Sequence, residues 1–166
     1  MHQKNAHCSY CGQRFVEGAP WPRTCAGCGR TTWLNPLPVG VLLLPVDDGV
    51  LCVRRGIEPG LGMLAMPGGF LDVHETWQQG MARELFEESG VRVDPAEVRL
   101  LDALSVVPEG ILVLFGEARR RTAAELPPFV ANDEVTECVI VCQPQELAFS
   151  THTHVLRAWF DRRAKT

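Results

Sequence analysis

The chain has 166 residues, a length that suits one compact domain with a small appendage. Its 46% hydrophobic and 22% charged content fits a folded protein and excludes wholesale disorder. A net charge of −4 gives no broad electrostatic footprint for nucleic acid, so none is expected as a partner. The longest apolar runs, 39–46 and 111–115, are too short to span a bilayer, and no membrane association is expected. The stretch from Met1 to Cys8 lacks the apolar core of a secretory signal, so the cytoplasm is the expected compartment.

Seven cysteines are many for that compartment, and their positions divide them. Cys8 and Cys11 form one Cys-x-x-Cys knuckle, and Cys25 and Cys28 form a second after thirteen intervening residues. Gly12, Gly27 and Gly29 allow the tight turn each knuckle needs. Segment 6–33 is poor in aliphatic residues, and a piece of about 25 residues cannot bury a useful core unaided. Four thiolates closing tetrahedrally on Zn2+ supply the missing stabilisation, in a structural role because no coordination position stays open. Two disulfides or four unrelated buried thiols are the alternative, and the paired spacing favours zinc. His2 and His7 lie nearby but are not needed as ligands.

Beyond this segment, residues 31–38 read as a linker because Pro36 and Pro38 interrupt a strand ladder. The apolar run 39–44 reads as a buried strand, Asp47-Asp48-Gly49 as a hairpin turn, and 50–54 as the return strand. Loops are expected at 58–62 and 66–69. The clearest helix spans 75–89 and stops at Gly90, with Met81, Ala82, Leu85, Phe86 and Ser89 along one side. Strands follow at 98–107 and 111–117, joined by Pro108-Glu109-Gly110. A basic run, Arg119–Arg121, reads as a solvated turn. A loop at 126–129, a strand at 135–142 and a last helix after Ser150, through Val155, Leu156, Trp159 and Phe160, complete the chain. Cys52, Cys138 and Cys142 fall within strands and read as small core residues. Strands interleaved with two or three helices indicate an α/β fold with a mixed sheet.

The chemistry concentrates on the 75–89 helix. Glu84, Glu87 and Glu88 stand at i, i+3 and i+4 and share one helical face, where like charges repel by a few tenths of a kcal/mol per pair. A divalent cation relieves that repulsion, and oxygen-only ligands favour Mg2+ or Mn2+. A solvated acidic face is the plain alternative. The Pro67-Gly68-Gly69 loop just before the helix favours the metal, since its sharp turn can bring a backbone carbonyl onto the same ion.

Gly69, five residues, Glu75, seven residues, then Arg83-Glu84-Leu85-x-Glu87-Glu88-x-Gly90-Val91 set nine defined positions over 23 residues. In this pattern the chain resembles the Nudix family, whose box it matches at each of the nine. The resemblance implies an α/β/α sandwich around a mixed sheet, with a zinc ribbon over 1–33 and the Nudix hydrolase domain over 34–166. It implies that Glu84, Glu87 and Glu88, with the Gly68 carbonyl, hold catalytic Mg2+ or Mn2+. Arg83 then orients the helix carboxylates, Glu75 braces the loop that carries Gly68 and Gly69, and Glu134, just before a strand, supplies a further acid as ligand or general base. A solvent-facing loop acid is the alternative for Glu134.

The implied reaction is hydrolysis of a nucleoside diphosphate linked to another group. A four-cysteine ribbon ahead of a Nudix domain is similar to two branches, the NAD(H) pyrophosphatases and a shorter branch associated with ADP-ribose and FAD. The short ribbon, Asn35-Pro36 and Leu147-Ala148-Phe149-Ser150 resemble the shorter branch. The NAD(H) group carries Ser-Gln-Pro-Trp-Pro-Phe-Pro-x-Ser downstream of the box, where this chain has Leu104-Ser105-Val106-Val107-Pro108-Glu109. That departure argues against dedicated NAD(H) cleavage. Pro108 is a loose mark of ADP-ribose enzymes and equally suits a hairpin turn. Tyr10 is the only tyrosine, so the downstream tyrosine of diadenosine-polyphosphate hydrolases is missing. The leading expectation is therefore a Mg2+-dependent pyrophosphohydrolase of ADP-ribose, FAD or a similar dinucleotide, releasing AMP. A house-cleaning hydrolase of damaged nucleoside triphosphates, an NAD(H) pyrophosphatase and a non-catalytic Nudix ligand sensor are the alternatives. Phe70, Trp77, Phe115, Phe129 and Phe149 are candidates to stack on a base, and a homodimer is a further expectation.

Overall fold

The computed structural model describes residues 4–164, so His2 lies outside the described residues. The chain separates into two compact units, Met1–Pro36 and Leu37–Thr166.

In the first unit the two knuckles are built alike. The amide of Cys8 donates to the Gln13 carbonyl at 2.8 Å and that of Cys25 to the Arg30 carbonyl at 2.9 Å, while Gly12 and Gly29 donate back to Cys8 and Cys25. Gly12 and Gly29 sit at φ +77° and +70°, left-handed positions that favour a residue without Cβ. Strand β1 (Arg23–Thr24) pairs antiparallel with β2 (Thr31–Thr32), bracketing the second knuckle.

The second unit is arranged around strand β3 (Leu37–Leu43). The short β4 (Pro45–Val46), β5 (Gly49–Arg55), β6 (Leu64–Ala65) and β7 (Gly68–Phe70) lead to helix α1 (Trp77–Ser89). Strands β8 (Arg99–Val106), β9 (Ile111–Glu117) and β10 (Val135–Val141) follow, and helix α2 (Ser150–Arg163) closes the unit. One four-stranded sheet runs β7-β3-β9-β8 and is mixed, because β3 and β9 are parallel. The other runs β10-β5-β4, with β6 on β5, and its pairs are antiparallel.

The apolar run of β3 is continuous because both of its faces are covered. Val41 and Leu43 pack with Phe115, Leu156 and Trp159 on the α2 side. Leu42 and the following Leu44 pack with Met81 and Leu85 on the α1 side. Successive strand residues point to opposite faces, so one segment feeds two cores and the α/β/α sandwich follows.

Five local expectations are corrected. The ladder of β3 begins at Leu37, inside the expected linker, because Pro38 keeps its acceptor and receives the Leu71 amide at 3.1 Å. Helix α1 begins at Trp77 rather than Glu75, since Thr76 caps it and shares a capping box with Gln79. Its buried residues are Gly80, Met81, Leu85, Glu88 and Ser89; Phe86 is exposed, its ring lying 3.8 Å under the Arg92 guanidinium. Cys142 falls after β10 and is exposed, whereas Cys52 is a buried core residue. In the expected basic turn, Arg121 is only partly solvated and pairs with Glu97 at 3.6 Å.

Candidate active site

The Thr76 cap and the Gly90 stop fix the register of α1, and that register sends Glu84, Glu87 and Glu88 toward β7 and the solvent edge beside it. Gly90 terminates the helix at φ +75°, its amide donating to the Phe86 carbonyl. Glu88 is 7% exposed and accepts the Gly68 amide on Oε2 at 3.1 Å, which ties the helix to the first residue of β7. Gly69 faces Glu84 so closely that a Cβ there would lie 2.7 Å from its carboxylate. A Cβ on Gly68 would meet the Gly40 carbonyl oxygen of β3 at 2.4 Å. The two glycines therefore fail differently. Gly68→Ala collides with backbone and lowers thermal stability by about 1–3 kcal/mol. Gly69→Ala meets only a side-chain tip, so it leaves the melting temperature near wild type but displaces Glu84 and lowers activity. Paired melts and rates check this.

Arg83 organises the carboxylates. Its Nη1 donates to Glu84 at 2.7 Å and Glu87 at 3.1 Å, its Nη2 to Glu75 at 2.8 Å and the Phe70 carbonyl at 3.1 Å, and its Nε to Glu75 at 3.1 Å. Glu75, outside the helix, also accepts the Asp72 amide at 2.8 Å, so it links the loop after β7 to α1. The Arg83 guanidinium holds the Glu75 carboxyl below the usual range.

Glu88 sits in the opposite environment. Burial pushes its carboxyl up to about 8 against the pull of the Gly68 amide, and the charges of Glu84 and Glu134 push the same way. Burial also raises Glu84 although Arg83 opposes it, with further upward contributions from Glu87 and Glu134. Excess negative charge in a partly dry place is the condition a bound cation relieves, and the donors are all oxygen. This donor set fits Mg2+ or Mn2+. The carboxylate oxygens are not gathered as tightly as the four thiols, since Arg83 engages Glu84 and Glu87 directly.

Glu134 is brought to this place by its loop. Asn132 donates to the Glu87 carbonyl at 3.1 Å and accepts the amides of Glu134 and Val135, while the Glu134 carbonyl receives the Gly56 amide at 2.6 Å. Sequence reasoning missed Asn132, Arg55 and His152. Arg55 ends β5 opposite Val135, and its charge favours the ionised form of Glu88. His152, in the first turn of α2, accepts the Met66 amide on Nδ1 at 3.2 Å, and burial lowers it to about 3, which keeps the ring neutral. Nothing in the sequence says that these residues, far apart along the chain, bond to the segments that carry Glu87, Glu134 and Gly68. Of the stacking candidates, Phe115 is fully buried in the core, Phe70 is exposed, and Phe149 has Arg55 and His152 against its ring.

In the first unit, Cys8, Cys11, Cys25 and Cys28 present sulfurs that all lie within 4.8 Å of one another. Cys8 and Cys28 are 3.7 Å apart, and Cys11 and Cys25 are 3.6 Å apart. A disulfide needs about 2.05 Å, whereas four sulfurs about 2.3 Å from a tetrahedral Zn2+ stand about 3.8 Å from each other. The Tyr10 amide draws the Cys8 thiol down to about 6. Cys11 is lowered by the Gln13 amide but raised more by Cys25 and Cys28, reaching about 11. A cluster in which one thiolate discourages the next fits a cation at its centre.

The NUDIX domain model matches residues 34–162. The chain belongs to the NUDIX domain family. A relative, the NAD-capped RNA hydrolase NudC of Edwardsiella ictaluri, is 34% identical over 92 residues, covering 55% of this chain and 35% of that protein. The match thus spans about a third of the length of this curated relative. A NUDIX hydrolase structure from Nitrosomonas europaea superposes with a TM-score of 0.76 at 25% identity, over 96% of this chain and 92% of that one. A bifunctional NMN adenylyltransferase/ADP ribose pyrophosphatase from Francisella tularensis, complexed with AMP and manganese, gives a TM-score of 0.56 at 22% identity, over 78% and 40% of the two chains.

Proposed function

We propose that this NUDIX protein is a divalent-metal-dependent pyrophosphohydrolase that cleaves ADP-ribose, FAD or a similar dinucleotide to AMP and a second phosphate product. The observation that carries the reading is the buried Glu88 carboxylate, bonded to the Gly68 amide and crowded by Glu84 and Glu134. In this reading Glu84, Glu87, Glu88 and the Gly68 carbonyl hold Mg2+ or Mn2+, and residues 34–166 form the catalytic domain. A zinc ribbon occupies 1–33, with Cys8, Cys11, Cys25 and Cys28 as ligands.

When bound, the metal supplies charge neutralisation of the phosphate oxygens and a lowered pKa for water. The chain's own contribution is to hold that charge in place. Arg83 fixes Glu84 and Glu87, Glu75 and the Phe70 carbonyl fix Arg83, and Gly68 fixes Glu88. In the same reading Glu134 is the further acid, as a metal ligand or as the base that accepts a proton from the attacking water. Water oxygen bonds to one phosphorus, the bridging P–O bond breaks, and AMP leaves with ribose 5-phosphate from ADP-ribose or FMN from FAD.

One observation favours a second reading. The relative from Edwardsiella ictaluri is named for NAD-capped RNA, and such a substrate contains the same kind of pyrophosphate. Against it stands the 104–109 segment, which lacks the proline- and aromatic-rich stretch of the NAD(H) group. The test is product analysis with Mg2+ or Mn2+ on ADP-ribose, FAD, NADH, NAD-capped RNA and oxidised nucleoside triphosphates. AMP from ADP-ribose or FAD at the highest kcat/KM is the expected result. Inorganic pyrophosphate from a triphosphate as the main product, or binding of ADP-ribose without hydrolysis, overturns the reading. Cytoplasmic location and a homodimer belong to the same proposal, and light scattering checks the dimer.

A further inference from the structure

Arg55 stands at the end of β5, opposite Val135 and next to the loop that carries Glu134. Its guanidinium lies over the Phe149 ring, 5.1 Å from the centroid, and its Nε donates to the Pro59 carbonyl at 2.6 Å. The terminal nitrogens bond no protein group among the described residues. The neighbouring arginines are already engaged. Arg54 is spent on Glu137 and the Gly62 carbonyl, and Arg83 on three carboxylates and the Phe70 carbonyl. Arg55 is thus a half-buried cation beside the carboxylate cluster with its two-pronged end open.

The underside of this arginine is built. Phe149 packs against His152 with centroids 5.0 Å apart, and His152 packs edge-on against the core Phe115 at 5.5 Å. His152 also accepts the Met66 amide, two residues ahead of Gly68. One chain of ring contacts therefore joins the core, the Gly68 loop and the Arg55 guanidinium. The ring face attracts the cation above it, the Pro59 carbonyl anchors its Nε, and the planar guanidinium then presents a fork that a lysine cannot reproduce.

We propose that Arg55 is a substrate-binding residue that grips a phosphate of the nucleoside diphosphate beside the metal-binding carboxylates, and that Phe149 is a positioning residue that aims it. Phe149 therefore does not stack on the base, since Arg55 and His152 lie against its ring. The proposal rests on the pyrophosphohydrolase reading above. Phosphate recognition by a charge-assisted fork operates in both substrate and transition state, so its loss falls mainly on KM.

The experiment measures kcat and KM for ADP-ribose with Mg2+, and the inhibition constant of AMP, in wild type, Arg55→Lys, Arg55→Gln and Phe149→Leu. Arg55→Lys and Arg55→Gln are expected to raise KM and the AMP inhibition constant together by about tenfold or more. Phe149→Leu is expected to raise both by a smaller factor with kcat within about twofold of wild type, a split that general loosening of the fold does not produce. Wild type that turns over no dinucleotide defeats the pyrophosphohydrolase reading, and this inference with it. Wild type that is active while both Arg55 variants keep the wild-type KM and AMP inhibition overturns this inference alone. An Arg55→Lys variant with full affinity overturns the role given to the guanidinium fork.

Discussion

Glu88→Gln is expected to lower kcat by about a thousandfold or more while the protein stays folded. Gln keeps an oxygen for the Gly68 amide, so the bond from β7 to α1 survives, and the side chain is close to the same volume. What disappears is the one charge in the cluster that is almost fully withdrawn from water. Removing a single preorganised electrostatic group from an active site costs about 10²–10³ in rate, and a metal ligand affects both the positioning of the ion and its charge compensation. The sign of the stability effect is the opposite. In metal-free protein, burial raises the Glu88 carboxyl to about 8, so the folded state binds its proton more tightly than the unfolded chain does. That contribution is fully present below the ordinary carboxylate range and is lost as pH rises toward 8. Gln has no proton to lose and so escapes the cost of a buried charge, and metal-free Glu88→Gln melts at or above the wild-type temperature at pH 8. A variant that retains near-wild-type Mg2+-dependent turnover sinks the assignment, and one that is inactive because it is unfolded shows as a lost melting transition.

The contrast between this carboxylate and Glu75 shows what a sequence can and cannot reveal. The i, i+3, i+4 spacing of Glu84, Glu87 and Glu88 places them on one helical face whatever the fold, because it follows from 3.6 residues per turn. It does not say which of the three is buried. Glu88 is the buried one because α1 lies against β3 and β7 through Met81 and Leu85, and the next residue on that stripe is Glu88. Phe86 was expected on the inner face and sits on the outer one for the same geometric reason, one residue past Leu85. Helix boundaries depend on side-chain capping, so the start moved from Glu75 to Trp77 and freed Glu75 to serve the loop. The continuous apolar run of β3 announced a strand covered on both faces, whereas its start at Leu37-Pro38 depended on one distant acceptor bond from Leu71. Arg55, Asn132 and His152 were invisible because their significance is a meeting of β5, the loop before β10 and α2, which no local pattern encodes.

Zinc removal is expected to abolish the fold of the ribbon unit while the second unit persists. The ribbon has two strands of two residues each, and its buried hydrophobic residues among those described are Cys8 and Cys25. No aliphatic core stands behind them, so the free energy of about 10–16 kcal/mol typical of structural zinc is the main term that can offset the entropy of ordering the knuckles. The core clusters of Leu37–Thr166, by contrast, are drawn from β-strands and helices of that unit itself. Purified protein is expected to contain about one Zn2+ per chain. Chelation, or Cys25→Ser, is expected to make the first unit sensitive to protease and leave a resistant fragment beginning near Leu37 that keeps its melting transition. Cys25→Ser is the sharper variant, because Cys25 is buried and lies 3.6 Å from Cys11, so a serine there leaves three thiols around an oxygen of poor affinity for zinc. Cys142→Ser, at an exposed thiol outside the cluster, is the control and leaves zinc content unchanged. A zinc stoichiometry near zero in protein whose first unit resists protease defeats the assignment, since the fold would then stand on contacts that two short strands and four thiols do not provide.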